Sequence, residues 1–176
     1  IGHVTIASML IVCGADPCVS DKHDDMSMHL VYDTSLYGFE VVQRMLKYSP
    51  GPYISIPDKN GNTLLHKTKG DVVSFKWLLD HHANVETQNK DGNTPLHILA
   101  KGVDSFIYDG EASEGILSIQ LLIEMGVSTE ILNNEGLTPR DVANRVMNDD
   151  VIHLIDTVVS PPIPLSALVG TSPQIV

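Results

Sequence analysis

Asp58 Lys59 Asn60 Gly61 Asn62 Thr63 Leu64 Leu65 His66 returns as Asn89 Lys90 Asp91 Gly92 Asn93 Thr94 Pro95 Leu96 His97, with the two glycines 31 residues apart. Each copy runs into apolar residues at helical spacing, as in Leu96, Leu99 and Ala100. A recurrence near 30 residues predicts a stack of supersecondary units, each burying its apolar face against the next.

With this block as a ruler, weaker copies appear on both sides. Asp21 Lys22 His23 Asp24 Asp25 Met26 Ser27 Met28 His29 lies upstream, and Asn134 Glu135 Gly136 Leu137 Thr138 Pro139 Arg140 Asp141 lies downstream. A helix end precedes the turns at Gly14, His82 and Gly126, and the turn positions Asp24, Gly92 and Gly136 follow ten residues later in every case.

The local chemistry agrees with this order. Asp91 Gly92 Asn93 supplies the positive backbone angles of a tight hairpin. Thr94 and Thr138 stand at helix N-cap positions, each followed by a proline whose missing amide hydrogen costs nothing in the first turn. A second helix follows, with Ile116, Ile119, Leu122 and Ile123 on one face.

These residues resemble the ankyrin repeat family, whose unit of about 33 residues joins a β-turn to two helices and carries a T-P-L-H-x-A signature. Thr94 Pro95 Leu96 His97 reproduces the signature, Thr63 Leu64 Leu65 His66 lacks its proline, and Thr138 Pro139 Arg140 Asp141 ends in aspartate. The resemblance implies an all-α repeat fold, an ankyrin solenoid of helix-turn-helix units joined by β-hairpin turns. It also implies that His29, His66 and His97 hydrogen-bond neighbouring hairpins and order the stack.

The expected repeat domain covers residues 1–156, with a partial first repeat at 1–20 and units starting near 21, 58, 89 and 134. Residues 157–176 hold four prolines and no charge, which predicts a linker or tail. Ile6, Met9 and Leu10 match a second helix without its own first helix, so the chain is expected to be part of something longer.

The period slips in informative places. Two residues are missing between Gly61 and Gly92, so the turn at Lys69 Gly70 Asp71 must be short. From Gly92 to Gly136 the distance is 44 residues, a surplus of about eleven that spacing assigns to the stretch from Gly102 to Ser113. Phe106 and Tyr108 lie in it, either folded back on the helices or offered to a partner.

Composition narrows the function. The net charge is −11, with seven basic against ten acidic residues in 1–88 and four against twelve in 89–176. Such a surface argues against nucleic acid and anionic membranes and points to a protein partner with a basic surface, with self-association open to it. Cys13 and Cys18 are read as free thiols in a reducing cytoplasm, with the nucleus as the other compartment.

No nucleophile-elbow, phosphate-loop or metalloprotease motif occurs, and no cofactor or metal is expected. Trp77 falls in the apolar run of a second helix and reads as packing. The sequence thus describes a non-catalytic protein-protein interaction module. Its candidate contacts are Lys59, Asn60, Asn62, Lys90, Asp91, Asn93, Glu135 and Leu137 at the hairpin tips, Lys67, Ile98 and Lys101 on inner helices, and Phe106 and Tyr108 in the insertion. The alternative is a regulatory or oligomerising region of a larger enzyme or channel, for example one like the calcium-independent phospholipases A2, on fold-level analogy.

Overall fold

The computed structural model describes residues 9–10, 13–16, 19, 28–29, 38–48, 52–102 and 113–159. Its helices are α1 (Gly38–Tyr48), α2 (Leu64–Lys67), α3 (Val72–Asp80), α4 (Pro95–Gly102), α5 (Glu114–Glu124), α6 (Pro139–Arg145) and α7 (Asp149–Val159), with a 3-10 turn at Pro52–Ser55. Met9, Leu10, Met28 and His29 are helical too. No strand occurs among the described residues, so they are all-α, and the connections expected as hairpins are turns.

The helices form two rows. α2, α4 and α6 pack side by side, α3 packs on α5 and α5 on α7, and the members of the pairs α2/α3, α4/α5 and α6/α7 also touch. Between the rows lie Leu64, Leu65, Phe75, Leu78, Leu96, Ile119, Leu122 and Ile155, all essentially inaccessible to water. Burying one such side chain stabilises the fold by about 1.5–3 kcal/mol, so a unit stripped of its neighbour would lose most of its core. Upstream, Met9 and Leu10 are more than half exposed. At that end Phe39 of α1 meets Trp77 of α3 edge-on, with ring centroids 5.6 Å apart, so the indole is a packing element between helices.

Side chains cap the second helices. Asp71 accepts from the amides of Val73 and Ser74 ahead of α3, Ser113 from Ile116 ahead of α5, and Asn148 from Val151 in α7. The short turn before α3 is made by two consecutive left-handed residues, Lys69 at φ 49° and Gly70 at φ 94°. A Cβ on Gly70 would stand 2.8 Å from the Gly115 Cα, so this turn sits directly on the start of α5.

The helix ends expected at Gly14, His82 and Gly126 share one geometry. All three residues have positive φ, and the following amide reaches back to a carbonyl of the last turn, as in Ala83 to Leu78 at 3.0 Å and Val127 to Leu122 at 3.2 Å. Only His82 carries a Cβ there. His82→Gly is therefore expected to raise stability by about 0.5–1 kcal/mol in urea denaturation, and a loss of stability would count against this assignment.

α4 ends at Gly102 and α5 starts at Glu114, so the surplus residues fall between these two helices. α7 continues to Val159, past the domain boundary placed at 156. The turn expected near residue 21, the insertion with Phe106 and Tyr108, Cys18 and the tail from residue 160 lie outside the described residues.

Candidate functional site

Three turns are built alike. In each, one carboxamide or carboxylate oxygen gathers two amides of its own turn: Asp58 takes Asn60 and Asn62, both at 2.8 Å, Asn89 takes Asp91 and Asn93, and Asn133 takes Glu135 and Leu137. The same residue's amide donates to the carbonyl four positions on, and its carbonyl receives the turn glycine at 2.8–2.9 Å. Each tip is thus rigid before any neighbour is added.

Neighbouring turns are then locked together. Lys90 N–H donates to Asn60 C=O at 2.9 Å, and Asn134 N–H to Asp91 C=O at 3.0 Å. Asn89 donates its side-chain amide to Asn62 at 2.8 Å, as Asn133 does to Asn93 at 2.9 Å. The contact is so close that a Cβ on Gly61 would meet Lys90 N at 2.8 Å, and one on Gly92 would meet Asn134 N at 2.6 Å.

Histidines couple each first helix to the following turn. Thr63 N–H donates to His66 Nδ1 at 3.2 Å and Thr94 N–H to His97 Nδ1 at 3.1 Å, so Nδ1 carries no proton. The proton is on Nε2, which donates to Asn93 C=O at 3.0 Å from His66 and to Leu137 C=O at 3.1 Å from His97. Burial lowers the pKa of both imidazoles, against the raising effect of those carbonyls, and keeps them neutral.

In the last described turn the pattern stops. Asp141 stands where the histidines stood and accepts from the Thr138 amide at 3.0 Å and hydroxyl at 2.8 Å, while its own amide donates to the Thr138 hydroxyl. An ionised carboxylate has no donor with which to reach a further turn. Leu137 likewise replaces the asparagine that receives the neighbour's carboxamide, and a Cβ on Gly136 would meet nothing within 4 Å.

The structure separates the expected contact residues into two groups. Lys59, Asn60, Lys90, Asp91, Lys101 and Glu135 are exposed, and Ile98 is half-buried on α4. Asn62 and Asn93 use their side chains to hold the next turn, and Leu137 packs against the core. Lys67 reaches Asp58 at 3.0 Å, with both side chains largely withdrawn from water. Burial pushes the Asp58 carboxyl up, but the Lys67 ammonium and the amides of Asn62 and Asn60 outweigh it and hold the group below its ordinary value.

Charge is divided between the two rows, which sequence reasoning missed because net charge carries no direction. The turns and first helices, residues 57–70, 89–102 and 133–145, hold seven basic and four acidic residues. The second helices α3, α5 and α7 with their following segments, 71–88, 113–132 and 146–159, hold one basic and nine acidic residues, and α1, which meets α3, adds Arg44 and Lys47 against Glu40. Among the described residues no group of three or more His, Cys, Asp or Glu could hold a metal ion. No described helix is long and apolar enough to cross a membrane.

Known proteins are similar to this sequence. A Rickettsia felis protein named for its ankyrin repeats is 40% identical over 85 residues, covering 46% of this chain and 35% of that protein. A fowlpox virus protein named in the same way is 36% identical over 101 residues, 54% of this chain and 27% of its own length. The chain is similar to ankyrin repeat proteins. No family model matches it, so the likeness rests on these relatives and on the repeated turn. The human palmitoyltransferase ZDHHC13 is 27% identical across 160 residues, 89% of this chain but 23% of that enzyme. The chain spans about a quarter to a third of the length of the curated relatives it matches.

Proposed function

We propose that the chain is a non-catalytic protein-binding module, an ankyrin solenoid whose hairpin tips and first helices form one continuous surface for a partner protein. The observation that carries this reading is the backbone lock between successive turns, Lys90 on Asn60 and Asn134 on Asp91, which holds exposed tips in a row. A preorganised surface loses little conformational entropy on binding. About four stacked units offer the area of a standard interface, roughly 800 Å² per partner.

In this reading Lys59, Asn60, Lys90, Asp91 and Glu135 touch the partner from the tips, with Ile98 and Lys101 beside them and the segment around Phe106 and Tyr108 as an added contact. Asn62, Asn93, Lys67 and Leu137 act by keeping that surface in shape. The test replaces Lys90, Asp91 and Glu135 together by alanine. Their side chains are exposed, and the ion pair of Glu135 with Arg145 is at the surface, where such pairs contribute little. Specific capture of a partner should disappear while the melting temperature stays put. Unchanged capture would count against the reading.

The match to a palmitoyltransferase across most of this chain favours a second reading, in which the module serves a larger acyl-transfer enzyme. Sequencing the reading frame on both sides, followed by a fatty-acyl transfer assay on the full-length product, separates the two readings.

A further inference from the structure

We propose that the partner surface recognised by the tips and first helices is an acidic protein segment, an inference that rests on the protein-binding reading above. The whole chain, at −11, suggests the opposite partner. That suggestion holds only if the acidic groups share a side with the tips and first helices. Among the described residues most of them do not. Among the described residues the turns and first helices carry seven basic residues against four acidic ones; Lys67 pairs with Asp58, Arg145 with Glu135 and Arg140 with Asp156 of α7, so the charge of the strip rests on Lys69, Lys90 and Lys101, with Lys59 beside them, against Asp91 and Asp141. The second-helix side, α1 included, carries ten acidic residues against Arg44, Lys47 and Lys76.

Distance decides which set a docking segment feels. Packed helix rows lie about 8–10 Å apart, and exposed charges are largely screened beyond about 8 Å at physiological ionic strength. A segment lying along the tips is therefore governed by the charges beneath it. Lys59 and Lys90 occupy the same position in adjacent, locked turns, and Lys101 and Lys69 are exposed at the far ends of neighbouring first helices. A short run of Asp or Glu can follow this row and gain both on-rate and register from it.

Extended polyanions are a poorer fit. A DNA duplex or an anionic membrane presents charge over a wider area than the strip and meets Asp91, Asp141 and the acidic flank as well. The acidic protein segment matches the strip in sign.

The experiment titrates the chain with a Glu-rich peptide, a Lys-rich peptide of equal length, duplex DNA and phosphatidylserine vesicles. Each probe is applied to the wild type, to the charge-reversed Lys90→Glu/Lys101→Glu variant and to the triple tip-alanine variant, with unfolding curves as the control for folding. The expected result is that the Glu-rich peptide binds, loses affinity with added salt, and is weakened about ten-fold or more by charge reversal. DNA and vesicles should bind more weakly than the peptide. The proposal is overturned if the Glu-rich peptide fails to bind at low salt, if charge reversal leaves its binding unchanged, or if DNA or vesicles bind as tightly. A Lys-rich peptide released by the tip alanines would leave the protein-binding reading standing and overturn this one. Insensitivity of both peptides to every tip change would overturn both.

Discussion

Gly92→Ala is expected to lower the free energy of unfolding by about 3–5 kcal/mol, among the largest single effects available in this chain. Two costs coincide there. Its φ of 75° is strained for any residue with a Cβ, and that Cβ would stand 2.6 Å from both the amide nitrogen and the side-chain oxygen of Asn134 in the next turn. Relief of the clash would separate the turns and break the Asn134-to-Asp91 and Asn133-to-Asn93 bonds. Gly136 is the internal control, because its φ of 73° is similar but nothing lies within 4 Å of its Cβ position. Gly136→Ala should cost only about 1–2 kcal/mol in the same urea titration. Equal losses at the two glycines would show that the turns are not packed as described.

His97→Ala should cost about 3 kcal/mol, because a fully buried imidazole disappears and strands the Thr94 amide and the Leu137 carbonyl. It should also change the pH dependence. Burial lowers the folded pKa of His66 and His97 below 6.5, so the unfolded chain binds protons that the folded chain excludes. Stability is therefore complete above about pH 6.5 and falls as pH drops through the lowered folded values. Asp58, whose pKa is also lowered, adds its loss only below the ordinary carboxyl value of 3.8, in a separate window. In His97→Ala the decline below pH 6.5 should be shallower than in the wild type. An unchanged slope would remove His97 from the account.

Much of the fold was legible because it depends on short-range chemistry. The glycine and asparagine turns, the Thr-Pro helix starts and the apolar spacing of Ile119, Leu122 and Ile123 are all written within a few residues of one another. The 31-residue recurrence added the stacking direction. What could not be read depends on side chains that meet across 27 or 40 positions. Asn62 and Asn93 look like solvated turn residues in sequence, yet their carboxamides receive Asn89 and Asn133 of the next turn. Lys67 looks like an inner-face contact until Asp58 is seen beneath it.

The distribution of charge over the fold was not legible in the sequence. Both Lys59 and Lys90 stand in the repeated block, but an acidic total of −11 conceals where the negative groups lie. Only the packing of α2, α4 and α6 as one row and of α3, α5 and α7 as another turns a list of charges into two faces.

The most direct test of the stack is nitrogen NMR of the imidazoles between pH 5 and 8. If His66 and His97 clamp each first helix to the following turn, both should appear as the neutral tautomer with the proton on Nε2. That proton should exchange slowly, and the signals should titrate only below pH 6.5. Protonation on Nδ1, or rapid averaging and ordinary titration at both clamps, would contradict the account.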